Sequence, residues 1–334
     1  MGPFVRNLVF SFRELLINVN MYAMKNYRIQ HVLVPIDFSA VSHNALQTAI
    51  AICQRQLASL MLVHVIENSY WSFPPEAGGA AGNLLPELIR SANENLSRLA
   101  KEVRTQHDLV VHHLVQSGNP ADEICLIAHL RKIDLVVMGT HGTSGWREFF
   151  LGSNAYRVVK NATCAVMTIP GDHQWLDFKK VLFPIRMVPH ALEKYEYLRP
   201  IVRKNNSSLL VAGIVKQNDT TGPTRLLEMK ALVDEVRKQI TEDDVTCHSE
   251  LHYTQQVAAE VLAIADRENP DLIVITATLD TTLRDFFLGP YTQNIVNHAK
   301  HPVLSIRPNI FGHEAADYQT EHRAVPSSGS VAFV

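Results

Sequence analysis

The amino-acid sequence predicts an α/β fold made of two tandem open parallel-sheet domains of the Rossmann-like kind. Short apolar runs alternate with stretches of helical periodicity, and this whole pattern occurs twice. The chain has 334 residues, which suits two domains of about 150 residues each. Because strands and helices that alternate at these lengths form a parallel sheet with helices on its faces, we expect each copy to fold as such a domain.

The duplication is visible in the sequence itself. The tetrapeptide FFLG occurs at 149–152 and again at 286–289, and HVLVPIDFS at 31–39 matches KVLFPIRMV at 180–188. Two copies of domain size indicate a tandem duplication and exclude a solenoid of short repeats. We attribute the greater length of copy one to a loop at 68–83, which is rich in Pro, Gly and Ala and is expected to be long and flexible.

Copy one begins with the apolar run HVLVPI, which suits a buried parallel strand. Ser39 or Ser42 can cap the helix that follows. The order then repeats in copy two from Val181 to Arg307. The remaining elements of copy one are predicted as a strand at 59–66, a helix near 84–106, a strand at 109–115, a helix after Gly118-Asn119-Pro120, a strand at 133–139, a helix at 153–162 and a strand at 164–170.

This pattern divides the chain into four parts. Residues 29–171 form domain 1 and residues 179–308 form domain 2, with a boundary near GDHQWLDF. Residues 1–28 are an N-terminal extension, and residues 309–334 are polar and aperiodic, so we expect a mobile C-terminal tail.

The N-terminal extension is not expected to be a secretory signal. Charged residues interrupt its amphipathic pattern, and no small-residue cleavage site follows. Translation could start at Met1, Met21 or Met24, since the last two stand just before the first predicted strand.

Composition narrows the function classes. The 31 basic and 33 acidic residues leave a formal net charge of −2, so no basic excess favours nucleic acid or an anionic membrane. No apolar run reaches about 18 residues, which argues against a transmembrane helix. The cysteines at 53, 125, 164 and 247 stand singly, a pattern typical of reduced core residues in a cytoplasmic protein.

The segment after the fourth predicted strand carries the candidate chemistry. Gly139, Gly142, Gly152 and Ser153 have the spacing G-x2-G-x9-G-S. Glycine lets the backbone approach a ligand closely, and a helix N-terminus with unpaired N–H groups binds phosphate. Asp37, at the end of the first strand, could accept a hydrogen bond from a ribose hydroxyl or an adenine amino group.

Two simpler interpretations stay open for these residues. The three glycines could be ordinary loop residues, and Asp37 could simply cap the helix that follows it. The usual nucleotide and hydrolase signatures are absent, since the sequence contains no GxxxxGK[ST], no GxGxxG at this strand and no GxSxG.

The combination of VPIDFS, LVHVI and MGTHG, with GS ten residues after the second glycine of MGTHG, resembles the universal stress protein family. The resemblance extends over residues 29–308 and implies an adenine nucleotide alpha hydrolase-like fold and a role in stress response. It also implies ATP binding, with Mg²⁺ accompanying the phosphates, in domains whose glycine motif is intact.

The resemblance carries over to domain 1 residue by residue. Asp37 and the backbone of Val65 would contact adenine and ribose. The phosphates would be held by Gly142, Gly152, Ser153 and Asn154. Pro35 would shape the turn beside the base. The implied nucleotide-binding residues are Pro35, Asp37, Val65, Met138, Gly139, Gly142, Gly152, Ser153 and Asn154.

Domain 2 departs from the motif at most of these positions. Of the glycines of the motif, only that of FFLG survives, as Gly289. We therefore predict that domain 2 does not bind ATP in the family manner. The residues that replace Asp37, Gly139, Gly142 and Ser153 are, in that order, Arg186, Thr276, Leu279 and Pro290.

Domain 2 is instead expected to act as a structural partner within one chain. Family members of a single domain often dimerise along their last strands, and pairing of 164–170 with 301–308 would cover two exposed sheet edges. This arrangement is an intramolecular pseudo-dimer, and a homodimer of whole chains stays possible.

The function expected from this pattern is that of an ATP-binding stress or regulatory protein. ATP would order the loop at 139–153 and change the surface offered to regulatory protein partners that the sequence does not identify. We assign no catalytic residue, because no base is evident and Arg147 is the only nearby arginine, so hydrolysis would be slow at most.

Two alternatives come from other classes of protein. Domain 2 could bind an anionic or lipid-like metabolite through Arg186, with little role for ATP, or the chain could be a slow phosphoryl- or adenylyl-transfer enzyme. No metal site is expected beyond the ion that accompanies ATP. His112 and His113 are adjacent on a strand and point to opposite faces, and His141 is expected to pack within the glycine loop.

Overall fold

The fold was analysed in a computed structural model that describes residues 27–67, 84–140, 152–171, 173–188, 191–217, 222–277, 279–280 and 287–307. Domain 1 contributes β1 (His31–Pro35), α1 (Ala40–Gln56), β2 (Ser59–Glu67), α2 (Leu84–His107), β3 (Val111–Gly118), α3 (Pro120–Leu130), β4 (Leu135–Gly139), α4 (Ser153–Asn161) and β5 (Ala165–Ile169).

Domain 2 repeats this order with one addition, a short pair of antiparallel strands before its last helix. Its elements are β6 (Lys180–Ile185), α5 (Lys194–Asn205), β7 (Ser208–Lys216), α6 (Gly222–Glu242), β8 (Thr246–Thr254), α7 (Val257–Glu268), β9 (Leu272–Thr276), β10 (Leu279–Asp280), β11 (Phe287–Leu288), α8 (Pro290–His298) and β12 (Val303–Ile306).

The predicted α/β class is confirmed, and the two domains share one ten-stranded sheet in the order β3-β2-β1-β4-β5-β12-β9-β6-β7-β8. Within each domain the paired strands of this ten-stranded sheet are parallel. The central pair, β5 and β12, is antiparallel, with Met167 opposite Leu304. The two predicted last strands therefore do pair within the chain, and the carboxyl ends of the two sets of strands lie at opposite edges of the sheet.

The predicted elements agree with the observed ones, with small shifts at their ends. β3 begins at Val111 and extends to Gly118, later than the predicted run at 109–115. Of the two candidate caps of α1, Ser39 is the one used, because its side chain accepts a hydrogen bond from the Ser42 N–H. The loop predicted at 68–83 and the tail at 309–334 lie outside the described residues.

The core is continuous between the domains on one face of the sheet and divided on the other. One cluster joins residues of β1, β2 and α1 to residues of β6, β7 and α5. On the opposite face, α3 and α4 cover domain 1, and α7 and α8 cover domain 2. The shared face is reinforced where Gln56 Nε2 donates to the Pro200 carbonyl at 2.8 Å and the Tyr27 ring lies 4.7 Å from the Tyr197 ring.

The segment between the domains packs against both of them. Arg55 of α1 forms an ion pair with Asp177 and donates to the Leu176 carbonyl at 2.6 Å. Phe178 is fully buried, and its carbonyl accepts a hydrogen bond from Ser207. These contacts fix the segment to α1 on one side and to the start of β7 on the other.

The cysteines are free thiols, in line with their expected role as core residues. Cys53, Cys125 and Cys164 are buried, and Cys247 is half-buried. Burial raises the pKa of each of the three buried thiols to about 12, which keeps them protonated and unreactive at neutral pH. None of the described helices is long and apolar enough to cross a membrane.

His301 lies at the junction of the two domains, immediately before β12. Its side chain is buried, with 6% of its surface exposed. Its ring lies 5.7 Å from the Trp175 ring, and its Nδ1 has no hydrogen-bond partner within the part of the chain that the structure describes. Burial therefore lowers the pKa of the His301 imidazole below its usual value.

This burial predicts a pH dependence of stability. The unfolded chain, with a histidine pKa of about 6.5, takes up a proton that the folded chain resists, so the free energy of unfolding falls as the pH drops below about 6.5. A His301→Phe variant should lose less stability than the wild type between about pH 7 and pH 5 in urea unfolding. The control His248→Phe, at an exposed position of β8, should follow the wild type. Equal losses in the wild type and His301→Phe would contradict this assignment.

Candidate nucleotide-binding site

The candidate site lies at the point of domain 1 where the direction of the strand connections reverses. β1 and β4 are neighbours, while β1 leads outward to β2 and β4 leads the other way to β5. In open α/β sheets, ligands bind beyond the carboxyl ends of strands at such a switch point. Asp37 follows β1 and Gly139 ends β4, so the structure places both predicted residues at this position.

The two ends of the glycine motif are joined by a backbone hydrogen bond. The Gly152 N–H donates to the Thr140 carbonyl at 2.7 Å, and the Thr140 N–H donates to the Ile169 carbonyl at 3.1 Å. The start of α4 is therefore held against the end of β4. The predicted contacts of Gly142 and His141 lie outside the described residues.

The N-terminus of α4 has the form expected of a phosphate site. Gly152 occupies the N-cap position, with φ −56° and ψ 147°, and as a glycine it supplies no side-chain cap. Ser153 is the first helical residue. The first-turn N–H groups, including those of Ser153 and Asn154, therefore lack the side-chain partner that a Ser or Asp cap supplies.

Three of the predicted nucleotide contacts share one face of the sheet. Met138 and Val65 pack with the cluster that α3 and α4 cover. Pro35 follows two positions after Leu33, a member of the same cluster, and so points to the same face. These side chains and the N-terminus of α4 thus border one space at the carboxyl end of the sheet.

Asp37 organises the turn between β1 and α1 without being the helix cap. Its Oδ1 accepts hydrogen bonds from the Ser39 N–H at 3.0 Å and from the Ser39 hydroxyl at 2.6 Å. Ser39 in turn caps α1. The simpler interpretation of Asp37 as the cap is therefore wrong, but the residue does have a structural role beside the candidate ligand role.

The sequence did not single out the aromatic pair at this turn. Phe38 has a φ of +63°, a left-handed conformation that is unusual for a bulky residue. Its ring lies 5.1 Å from the His64 ring, and His64 Nδ1 is 2.6 Å from the Ile36 carbonyl. The Nδ1–H therefore donates to that carbonyl, which fixes the imidazole beside the turn.

The equivalent position in domain 2 is filled by its own side chains. The Arg186 guanidinium lies 3.5 Å from the centre of the Tyr291 ring, and its Nη2 donates to the Thr276 carbonyl at 3.4 Å. Pro290 begins α8 and so removes one of the N–H groups that α4 offers. The bond from Arg186 to Thr276 joins the ends of β6 and β9, the strands that flank the switch point of this domain.

Burial changes the ionisation of this second cluster. It lowers the pKa of Arg186 and raises the pKa of Tyr291 to about 12. Lys194, which the sequence did not point to, is almost fully buried nearby, with 2% of its surface exposed. Burial and the charge of Arg186 hold the Lys194 pKa well below its usual value. Among the described residues, no group of three or more His, Cys, Asp or Glu side chains is arranged to hold a metal ion.

Comparison with known proteins agrees with this architecture. Universal stress protein MJ0531 of Methanocaldococcus jannaschii is 33% identical over 138 residues, which cover 41% of this chain and 80% of that protein. Universal stress protein A homolog 1 of Coxiella burnetii is 33% identical over 147 residues, which cover 42% of this chain and 95% of that protein.

A solved structure extends the likeness of fold to both domains. A universal stress protein from Archaeoglobus fulgidus superposes with a TM-score of 0.66 at 18% identity, over 84% of this chain and 99% of that one. The model of the Universal stress protein family matches residues 28–170 and again residues 178–307. The chain therefore belongs to the universal stress protein family and contains two tandem copies of its domain.

Proposed function

We propose that this chain is an ATP-binding regulatory protein in which domain 1 (29–171) holds the nucleotide and domain 2 (179–308) is its structural partner. The observation that carries the proposal is the hydrogen bond from the Gly152 N–H to the Thr140 carbonyl. It brings an uncapped helix N-terminus to the carboxyl end of β4, where phosphates are favoured by the N–H groups and by the helix dipole.

The residues around this helix fit the rest of an adenine nucleotide. Pro35, Val65 and Met138 offer apolar surface for a base on the face that α4 covers. Asp37 offers a carboxylate for a ribose hydroxyl or an adenine amino group. Mg²⁺ would accompany the phosphates, because the N–H groups neutralise only part of their charge.

Domain 2 would serve as a scaffold and not as a second nucleotide site. Arg186 and Tyr291 occupy the equivalent position, and Pro290 reduces the N–H groups at the helix start. The β5–β12 pair covers the last strand of domain 1, which would otherwise be an exposed edge. This pairing supports the pseudo-dimer arrangement expected from the sequence.

The regulatory step would be a change in the surface between Gly139 and Ser153 when ATP binds there. Asp37, held by Ser39, would orient the nucleoside and would not activate water, so hydrolysis would be slow at most. We place this role in the cytoplasm under stress, in keeping with the free buried thiols.

Replacing a glycine of the motif by the residue found at the same position in domain 2 tests whether the nucleotide site lies in domain 1. Gly142→Leu copies Leu279 and adds a side chain where the backbone must approach the phosphates, so ATP–Mg²⁺ binding by calorimetry should be lost. The matched control, Leu279→Ala in domain 2, should bind one ATP per chain like the wild type. Binding that survives Gly142→Leu, or that is lost in Leu279→Ala, would contradict the assignment to domain 1.

A pair of variants separates the two roles of Asp37. Asp37→Ala removes the carboxylate, and Ser39→Ala removes the hydroxyl partner and the helix cap but keeps the carboxylate. Loss of a hydrogen bond to a charged group costs about 1.5–3 kcal/mol, so Asp37→Ala should weaken ATP at least about tenfold.

Ser39→Ala should lower the free energy of unfolding by about 1 kcal/mol, the usual cost of a lost cap, with little change in ATP affinity. Calorimetry and urea unfolding give the two quantities. Equal losses of ATP affinity in both variants would show that Asp37 acts only through the turn.

A further inference from the structure

Lys194 occupies a position where domain 1 has a small apolar residue. Helices α1 and α5 end in matching left-handed residues, Leu57 with φ +57° and Asn206 with φ +50°, which fixes the register between them. In that register Lys194 corresponds to Ala45. Both side chains are buried, so domain 2 has replaced a buried alanine by a buried lysine.

The described surroundings of Lys194 are apolar or of like charge. Its Nζ donates to the Pro184 carbonyl and lies 4.4 Å from the centre of the Phe183 ring. Among the described residues, the charged group that acts on it is Arg186, another cation. A buried ammonium with such neighbours is costly unless an anion accompanies it.

A second polar group on the same face lacks a partner. Leu272 and Val274 of β9 pack in the same cluster as Phe183, so Thr276 continues this side of the sheet. Thr276 is 4% exposed, and its Oγ1 has no hydrogen-bond partner among the described residues. Leu182 is opposite Ile273, so Thr276 ends the strand that neighbours β6, and β6 carries the Pro184 carbonyl to which Lys194 donates.

We propose that Lys194 and Thr276 hold a small oxyanion of the phosphate class at the carboxyl end of β6 and β9. The anion would accept hydrogen bonds from the Lys194 ammonium and from the Thr276 hydroxyl. Arg186, which donates to the Thr276 carbonyl, adds positive potential at the end of the two strands. The site lies on the α5 side of the sheet, whereas the position equivalent to the nucleotide site lies on the α8 side.

The basic residues at this end of domain 2 explain why the domain would still bind an anion although it lacks the nucleotide motif. Asp37 of domain 1 corresponds to Arg186, and Ala45 corresponds to Lys194, so the same end of the domain changes from acidic to basic. The stacked pair of Arg186 and Tyr291 occupies the α8 side, where domain 1 has its candidate nucleotide position, so the ligand expected on the α5 side is a small anion or the phosphate group of a larger molecule.

The test is thermal unfolding and calorimetry of the full chain with inorganic phosphate, compared with sodium chloride at equal ionic strength. Saturating ATP–Mg²⁺ is present in a second series, so that a phosphate effect at domain 1 is separated from one at domain 2. The melting temperature of the wild type should rise with phosphate in both series, because an anion that binds only the folded chain stabilises it.

Lys194→Ala, which restores the residue of domain 1, should weaken phosphate at least about tenfold, and Thr276→Val about fivefold. Lys194→Met keeps the length of the side chain and serves where the alanine variant folds poorly. Lys204→Ala removes an exposed lysine from the same helix and should leave the phosphate effect unchanged.

The proposal is overturned if the wild type gains no stability from phosphate beyond that from chloride. It is equally overturned if Lys194→Ala or Lys194→Met keeps the wild-type phosphate affinity, since Lys194 would then be a neutral buried amine. Failure of ATP to bind at domain 1 leaves these outcomes unaffected, because the variants lie in domain 2. Release of a phosphorylated metabolite from the purified wild type, with inorganic phosphate competing for its site, would identify a larger source of the same group.

Discussion

The antiparallel pairing of β5 with β12 is the constraint on which the rest of the structure depends. Each domain alone would leave its last strand at an open edge, and the pairing converts two five-stranded sheets into one of ten. It also brings α1 and α5 to the same face, where one core cluster spans both domains. The stability of each domain is therefore coupled to that of the other through buried apolar contacts.

The same pairing separates the two ligand-facing ends of the molecule. Because β5 and β12 run in opposite directions, the strands of domain 1 and those of domain 2 point opposite ways. Their carboxyl ends therefore lie on opposite sides of the sheet along the strand direction. Residues such as Arg186 and Pro290 could thus change in domain 2 without contact with the motif of domain 1. A substitution in the shared core affects the packing of both domains, whereas residues at one switch point can be replaced without contacting the other.

The two switch points show how one backbone arrangement accommodates opposite chemistry. In domain 1 the carboxylate of Asp37 stabilises the turn before α1 through Ser39, and α4 starts without a side-chain cap. In domain 2 the guanidinium of Arg186 reaches across to Thr276 and stacks on Tyr291. Where domain 1 has a carboxylate at this position, domain 2 has a guanidinium stacked on a tyrosine ring. This difference in charge is the physical basis for proposing different ligands for the two domains.

Most of the fold was predictable because its strands are short buried apolar runs and its helices have regularly spaced apolar residues. The duplication helped as well, since the strands and helices of one copy could be compared with those of the other. Local rules left Ser39 and Ser42 as alternative caps of the first helix, and the pairing of the last strands followed from the family resemblance. The burial of Lys194 did not, because a lysine within a helix normally indicates an exposed face. The contact of Arg186 with Tyr291 and the left-handed Phe38 depend on packing between distant segments, which periodicity does not encode.

The central claim is that one chain holds one adenine nucleotide, in domain 1. The most direct measurement is mass spectrometry of the gently purified chain, first intact under native conditions and then after denaturation, to count and identify the released nucleotide with added ATP–Mg²⁺ as needed. The account predicts a single bound adenine nucleotide per chain. Two nucleotides per chain, or none even with ATP–Mg²⁺ in excess, would contradict it.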